Sequence, residues 1–261
     1  MLAMNKDYLK LSKILTIKGF ITICLLIIPG CANSGSNEGE WVQLFNGQNF
    51  EGWVVPEGES GWTIIDGVID CDPKYRAEGA QSWRETYVWS EKEYGDFVLR
   101  LDWRIKDTPS MGNVPLIRPD GTHQLNAQGE EIRIQMPVSD SGIILRGLGK
   151  AQVNIWTWPI GSGEVYGYRM DRELPAEVIA NVTPAMMADN HIGEWNTFEI
   201  TMIGDRITVL LNGHTVIEDA WLPDVPEKGP FGLQHHGSYR DGEYRSGPSL
   251  VQFREIYIKE I

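Results

Sequence analysis

Trp195-Asn196-Thr197-Phe198-Glu199-Ile200-Thr201-Met202-Ile203-Gly204-Asp205-Arg206-Ile207-Thr208-Val209-Leu210-Leu211-Asn212-Gly213 is the stretch that decides the fold. Phe198, Ile200 and Met202 recur at every second position, Gly204-Asp205 supplies a turn, and Ile207, Val209 and Leu211 return with the same period. A period of two is that of a strand with one buried face, so the stretch predicts a β-hairpin. Asn212-Gly213 marks a second turn, and Thr215 to Ile217 continue the meander.

The same pattern extends outward. Asp96 to Ile105 places Phe97, Leu99, Leu101 and Trp103 on one face and Arg100, Asp102 and Arg104 on the other. Further strands are expected at 42–45, 62–68, 85–89, 131–135, 142–146, 151–157, 165–170, 230–235 and 249–259. Only Pro184 to Asp189 reads as helical, for one or two turns. The sequence has no heptads and no repeat of 20 to 50 residues. The fold class is therefore all-β, and a dozen or more short strands point to a two-sheet jelly-roll sandwich. Two long excursions, 106–130 and 157–194, have the length of loops that rim a site.

The N-terminus has another layout. Lys6, Lys10, Lys13 and Lys18 precede an apolar run from Phe20 to Ile28, and Pro29-Gly30-Cys31 follows. The run is too short to span a bilayer core of about 30 Å. Residues 1–30 read as a lipoprotein signal peptide, with lipidation at Cys31, and 31–40 as a flexible polar tether. Ordinary secretion with Cys31 incidental is the alternative. The expected location is the cell envelope of a bacterium, as a periplasmic or outer-membrane-anchored lipoprotein that meets the membrane through its lipid alone. Residues 41–261 form the folded domain. Cys24 and Cys31 belong to the leader and the anchor, which leaves Cys71 and no intramolecular disulfide. Stability must then come from a core, and about 220 residues suffice to bury one.

The chain carries a net charge of −13, and residues 1–30 hold four Lys against Asp7, so the mature chain stands at −16. Nucleic acid and anionic headgroups call for basic patches and are disfavoured as partners. A neutral carbohydrate remains compatible. All ten Trp lie after residue 40, and Trp serves both as core and as a stacking surface for sugars.

Several chemistries lack their residues. The five His have no zinc spacing with Cys, and no Gly-x-Ser-x-Gly elbow occurs. Gly161 to Gly167 has neither the interval of a dinucleotide fingerprint nor the Lys of a P-loop. No Asp-x-Asp-x-Asp run marks a cation site, so a divalent cation stays an option without named ligands.

What remains is a set of polar groups at strand positions. Arg146 ends an apolar run, Gln152, Asn154 and Trp156 share one strand face, and Gln234 and His236 point to one side of theirs. Arg104 is a further candidate. Arg, amides, Trp and an imidazole on one concave sheet face would suit a polyol.

Leu44-Phe45-Asn46-Gly47, Gly52-Trp53 and Trp62 to Gly67 resemble the opening of the 3-keto-disaccharide hydrolase family. The resemblance continues through Tyr94 to Phe97, Asp102-Trp103-Arg104, Ser141-Gly142-Ile143, Gly193 to Asn196, Leu211-Asn212-Gly213, Leu233 to Gly237 and Phe253 to Ile256. It implies a concanavalin-A-like jelly roll acting on glycosides oxidised at C3. The family often shows Glu-x-Gln-Ile where this chain has Gln152-Val153-Asn154-Ile155, so a carboxylate is missing, and Glu164 is a candidate substitute.

A C3 ketone acidifies the C2 proton, so a base can remove it and the anomeric substituent can leave. That route needs a base, donors for the enolate oxygen and an acid. His236 fits the base, Arg146, Asn154 and Gln234 the oxygen contacts, and Glu164 or Tyr166 the acid. The rivals are a non-catalytic glycan-binding module and a conventional two-carboxylate glycosidase.

Overall fold

Alternation of apolar and polar side chains builds two antiparallel sheets that enclose one core. The computed structural model describes residues 39–58, 60–76 and 86–261. The expected leader at 1–30, Cys31 and the tether up to residue 38 lie outside the described residues. In chain order the strands are β1 (Val42–Gln43), β2 (Trp53–Val54), β3 (Ser60–Ile65), β4 (Val68–Arg76), β5 (Val88–Ser90), β6 (Phe97–Ile105), β7 (Ser110–Pro115), β8 (Arg133–Val138), β9 (Asp140–Ile144) and β10 (Gln152–Trp156). They continue with β11 (Asn196–Ile203), β12 (Arg206–Leu211), β13 (His214–Trp221), β14 (Gly232–Leu233), β15 (Ser238–Arg240), β16 (Glu243–Arg245) and β17 (Val251–Glu260).

The larger sheet runs β13-β12-β11-β6-β17-β4-β3, with β1 also pairing β17; the smaller runs β10-β9-β14-β5-β2. The hairpin expected around Gly204 is β11–β12, with Phe198 opposite Leu211, Ile200 opposite Val209 and Met202 opposite Ile207. Its successor turns at Asn212 and Gly213, whose φ of 52° and 80° are the paired positive values that a two-residue turn between twisted strands requires. The inward face of β6 carries Phe97, Leu99, Leu101, Trp103 and Ile105, all buried. Ile143, Val153, Ile155, Leu233 and Val88 of the smaller sheet close the same core. Cys71 is buried within it. The architecture is the all-β jelly-roll sandwich that the alternation predicts.

Three local expectations are corrected. Residues 165–170 are not a strand: Val165 pairs with Val153 as a single bridge, and the chain then turns into α1 (Tyr166–Met170). The helix expected at Pro184 to Asp189 is absent, because Ala185 donates its backbone N–H to the Val216 carbonyl and the stretch follows β13. The helical turns lie earlier, in α2 (Ala176–Asn181), which follows Pro175 and carries Glu177 in its first turn. The excursion at 106–130 is partly ordered as strand, since β7 pairs with β8 over six residue pairs.

Arg146 is a structural clamp. Its φ is 46°, and its guanidinium donates to the carbonyls of Gly95, Gly204 and Pro226 and to Asp96 Oδ1 at 2.6–3.0 Å. The group is 2 % exposed and ties the approach to β6, the β11–β12 turn and the 226 loop together. Its expected contact with ligand is therefore corrected: its donors are taken up by three backbone carbonyls and the Asp96 carboxylate at the sandwich end. Arg146→Met should lower unfolding free energy by about 2–4 kcal/mol, since buried carbonyls lose their donors. Urea denaturation checks this, and a loss under about 1 kcal/mol would contradict the clamp.

Candidate functional site

The smaller sheet has two dissimilar faces. One meets the core; the other carries polar groups in a register set by β9, β10 and β14. Gln152 lies opposite Ile144, Asn154 opposite Gly142 and Trp156 opposite Asp140, while Gln234 donates its backbone N–H to the Gly142 carbonyl. Residues directly opposite in an antiparallel pair point the same way. Three amides therefore surround Gly142. A Cβ there would lie 2.7 Å from Gln152 Nε2 and 2.8 Å from the Val153 carbonyl oxygen, so glycine makes room for the amide layer.

The amides bond to one another and to Tyr87. Gln152 Nε2 donates to Asn154 Oδ1 at 2.6 Å and to Gln234 Oε1 at 2.8 Å, and Gln234 Nε2 donates to Tyr87 Oη at 2.9 Å. Burial pushes the Tyr87 phenol up to about 12, so it stays protonated. Beside it, Tyr87, Trp89 and Ile144 make an apolar patch, and Trp89 lies over Gly232.

Glu164 joins this face at the sheet edge. The backbone N–H of Asn154 donates to the Glu164 carbonyl and that of Gly163 to the Asn154 carbonyl, which places Glu164 alongside Asn154. Its carboxylate is sealed from solvent and pairs at 2.6 Å with the equally sealed Arg169 of α1. Burial pushes the carboxyl up to about 7 against the opposing pull of Arg169. Glu164 thus sits where the sequence reading wants a substitute for the missing carboxylate, but beneath the surface, as the counter-ion of Arg169. Tyr166, a little over one-third exposed, lies above the pair, with the Arg169 guanidinium 5.9 Å from its ring centroid. Burial raises the Tyr166 phenol above its ordinary range, so it is a proton donor at neutral pH.

The accessible titratable pair is Asp140 and His236. His236 Nδ1 lies 2.9 Å from the Gly247 carbonyl, which can only accept, so Nδ1 carries the hydrogen. Nε2 then faces Asp140 Oδ2 at 3.9 Å. The side chains are 40 % and 26 % exposed, enough to meet a ligand. Burial pushes the Asp140 carboxyl up to about 6, with His236 opposing. Asp140 Oδ1 has no hydrogen-bond partner among the described residues.

Of the expected site residues, Asn154, Trp156, Glu164, Tyr166, Gln234 and His236 come together around this face. Trp156 is nearly covered, stacked on Trp158 at 4.1 Å and 8°, with its Nε1 donating to the Gly161 carbonyl. Arg104 does not join them. It lies on the outward face of the larger sheet, bonded to Gln252 and stacked on Trp195, because it alternates away from the core that Trp103 and Ile105 fill. Asp140, Tyr87 and Arg169 were missed by the sequence reading. Asp140 was within reach, since it stands two residues before Gly142 on one face of β9; Arg169 was hidden by the expected strand at 165–170. Among the described residues, no group of three or more His, Cys, Asp or Glu is placed to hold a metal, and no helix is long and apolar enough to cross a membrane.

Comparison with solved structures gives a likeness to a provisionally assigned glycosyl hydrolase from Parabacteroides distasonis ATCC 8503, with 19 % identity, a TM-score of 0.51 and coverage of 85 % of this chain and 84 % of that one. A second Parabacteroides distasonis structure of that description has 20 % identity, a TM-score of 0.48 and coverage of 85 % and 100 %. A Bacillus licheniformis β-glucanase has 11 % identity, a TM-score of 0.41 and coverage of 87 % and 99 %. No curated protein sequence matches the chain. The model of the 3-keto-alpha-glucoside-1,2-lyase-like domain matches residues 40–259. The chain therefore belongs to the 3-keto-alpha-glucoside-1,2-lyase-like domain family, a carbohydrate-active class.

Proposed function

We propose that this protein is an enzyme that cleaves 3-keto-glycosides or 3-keto-disaccharides by elimination across C1–C2, followed by hydration. The observation that carries this reading is the Asp140–His236 pair at the edge of an amide-lined sheet face. The Gly247 carbonyl leaves Nε2 as the basic nitrogen of His236, and Asp140 stands where it stabilises the imidazolium that proton uptake creates.

In this mechanism His236 Nε2 takes the C2 proton. The C2–H electron pair becomes the C1=C2 bond through an enolate held by the C3 oxygen, and the C1–O bond breaks. Tyr166 gives its phenolic proton to the departing oxygen, so an alcohol and an unsaturated 3-keto sugar result. Water then adds across the double bond. With Gln152 donating to both neighbours, Asn154 Nδ2 has no partner among the described residues and is the donor for the enolate oxygen. Arg169 acts from below, its guanidinium 5.9 Å from the Tyr166 ring centroid and held in place by Glu164. A two-carboxylate hydrolysis is less well supported, because the Glu164 carboxyl is sealed against Arg169, which leaves Asp140 as the one partly exposed carboxylate described at this face.

Incubating the domain 41–261 with 3-keto-glucosides should release the alcohol, and His236→Ala should slow release by roughly 10²-fold or more. Saturable sugar binding with no product would instead identify a glycan-binding module, and unchanged turnover in His236→Ala would remove the base from the mechanism. The pH dependence follows from Asp140. Its carboxyl is protonated below about 6 and ionised above, and only the carboxylate stabilises the imidazolium, so kcat/KM should rise as pH increases through about 6. Asp140→Asn should lower the plateau and flatten that limb; an unaltered limb would assign it to another group.

Export and anchoring through Cys31 belong to the same proposal, because a tether would hold the domain where imported glycosides pass. Radiolabelled palmitate should be incorporated into the full chain expressed in bacteria and be lost in Cys31→Ser; equal labelling of both would rule out that anchor.

A further inference from the structure

Where the smaller sheet ends, a pocket of about 340 Å³ opens beside Trp156. Trp103 and Trp156 and their neighbour Trp158 line it, faced by the aliphatic side chains of Ile105, Met136 and Met187. Trp156 belongs both to this pocket and to the face described above, where its indole meets the edge of Tyr166 with ring centroids 6.0 Å apart. The pocket therefore adjoins the place where the leaving group departs.

Its polar side chains, which include Thr108, Thr157, Asn190 and His191 with Asn196 and Asp189, share the lining with the indoles and the aliphatic wall. Asn196, 3 % exposed, accepts at Oδ1 from the Asn190 backbone N–H and from Asn212 Nδ2, both at 2.8 Å, which leaves its own Nδ2 as a donor on the lining. Asp189 holds the loop wall by accepting from the Ser162 backbone N–H at 3.0 Å, and burial raises its carboxyl. A saccharide would bring hydroxyls around its whole ring, and those facing Met136, Met187 and Ile105 would lose water without gaining partners. A planar aromatic group brings no hydroxyls to that aliphatic wall and gains a stacking surface in the Trp156–Trp158 pair.

We propose that this pocket is the leaving-group subsite and that it takes an aromatic aglycone. This rests on the cleavage reading above and adds to it the class of substrate, a 3-keto-glucoside of an aryl or arylmethyl alcohol. The ring lies among Trp158, Met136 and Met187, and a ring substituent that accepts a hydrogen bond meets Asn196 Nδ2.

Benzyl and methyl 3-keto-glucosides test this, because benzyl alcohol and methanol have nearly equal acidity and any preference then reads the pocket. The domain should favour the benzyl glycoside at least tenfold in kcat/KM, and Trp158→Ala should cut that preference at least tenfold. Met187→Asp, at a position 63 % exposed and outside the buried core, should do the same. Binding of 4-nitrophenol, read by quenching of tryptophan fluorescence, is the second measurement, and it should be saturable and weakened at least tenfold by either substitution. Equal turnover of the two glycosides, or a preference that survives both substitutions, overturns the subsite. Failure to cleave either glycoside while 4-nitrophenol still binds and responds to both substitutions overturns the cleavage reading and leaves the aryl pocket standing. Neither turnover nor binding overturns both.

Discussion

The strands of the smaller sheet that carry the amide layer are almost closed to water. All five residues of β10 are buried, as are four of the five in β9, so polar groups on the side away from the core must be satisfied by one another. Gln152, Asn154 and Gln234 do this around Gly142 except at Asn154 Nδ2, which has no partner among the described residues, and the arrangement allows no side chain at that glycine. A satisfied buried network is rigid, because each member loses a partner if another moves. The layer thus supplies a fixed floor, and the groups that could act on a ligand stand at its margin.

Those marginal groups differ in access, and access assigns their parts. Glu164 and Arg169 are paired and closed off, and the attraction of Arg169 offsets part of the desolvation that raises the Glu164 carboxyl. Asp140, His236 and Tyr166 are partly open. In the proposed mechanism the closed pair sets the electrostatic surroundings, and the open groups exchange protons. The Trp156–Trp158 stack separates this polar margin from the apolar pocket, so one indole wall serves two adjoining regions of opposite character.

The sandwich was legible because its period is. Phe198 to Leu211 and Phe97 to Ile105 alternate without interruption, and Asn212-Gly213 names its own turn. Asn154, Trp156, Gln234 and His236 were legible as neighbours for the same reason: alternation tells which side of a strand a residue takes. It does not tell which sheet that side belongs to, so Arg104 was grouped with residues of the other layer. Arg146 looked like a free cation at a strand end, whereas the carbonyls that hold it come from residues 95, 204 and 226, far away in sequence. Arg169 needed the turn after Val165, where a single bridge ends and a short helix begins, and no periodic signal marks that change.

The most direct test of the account follows the C2 hydrogen. Cleavage of a 3-keto-glucoside by the domain 41–261 in deuterium oxide, with the sugar product read by NMR before non-enzymatic exchange sets in, distinguishes the two routes to the same products. Elimination and hydration through His236 predict deuterium at C2 of the product. Release of the alcohol with the original hydrogen retained at C2 would show direct displacement at C1 and contradict the account.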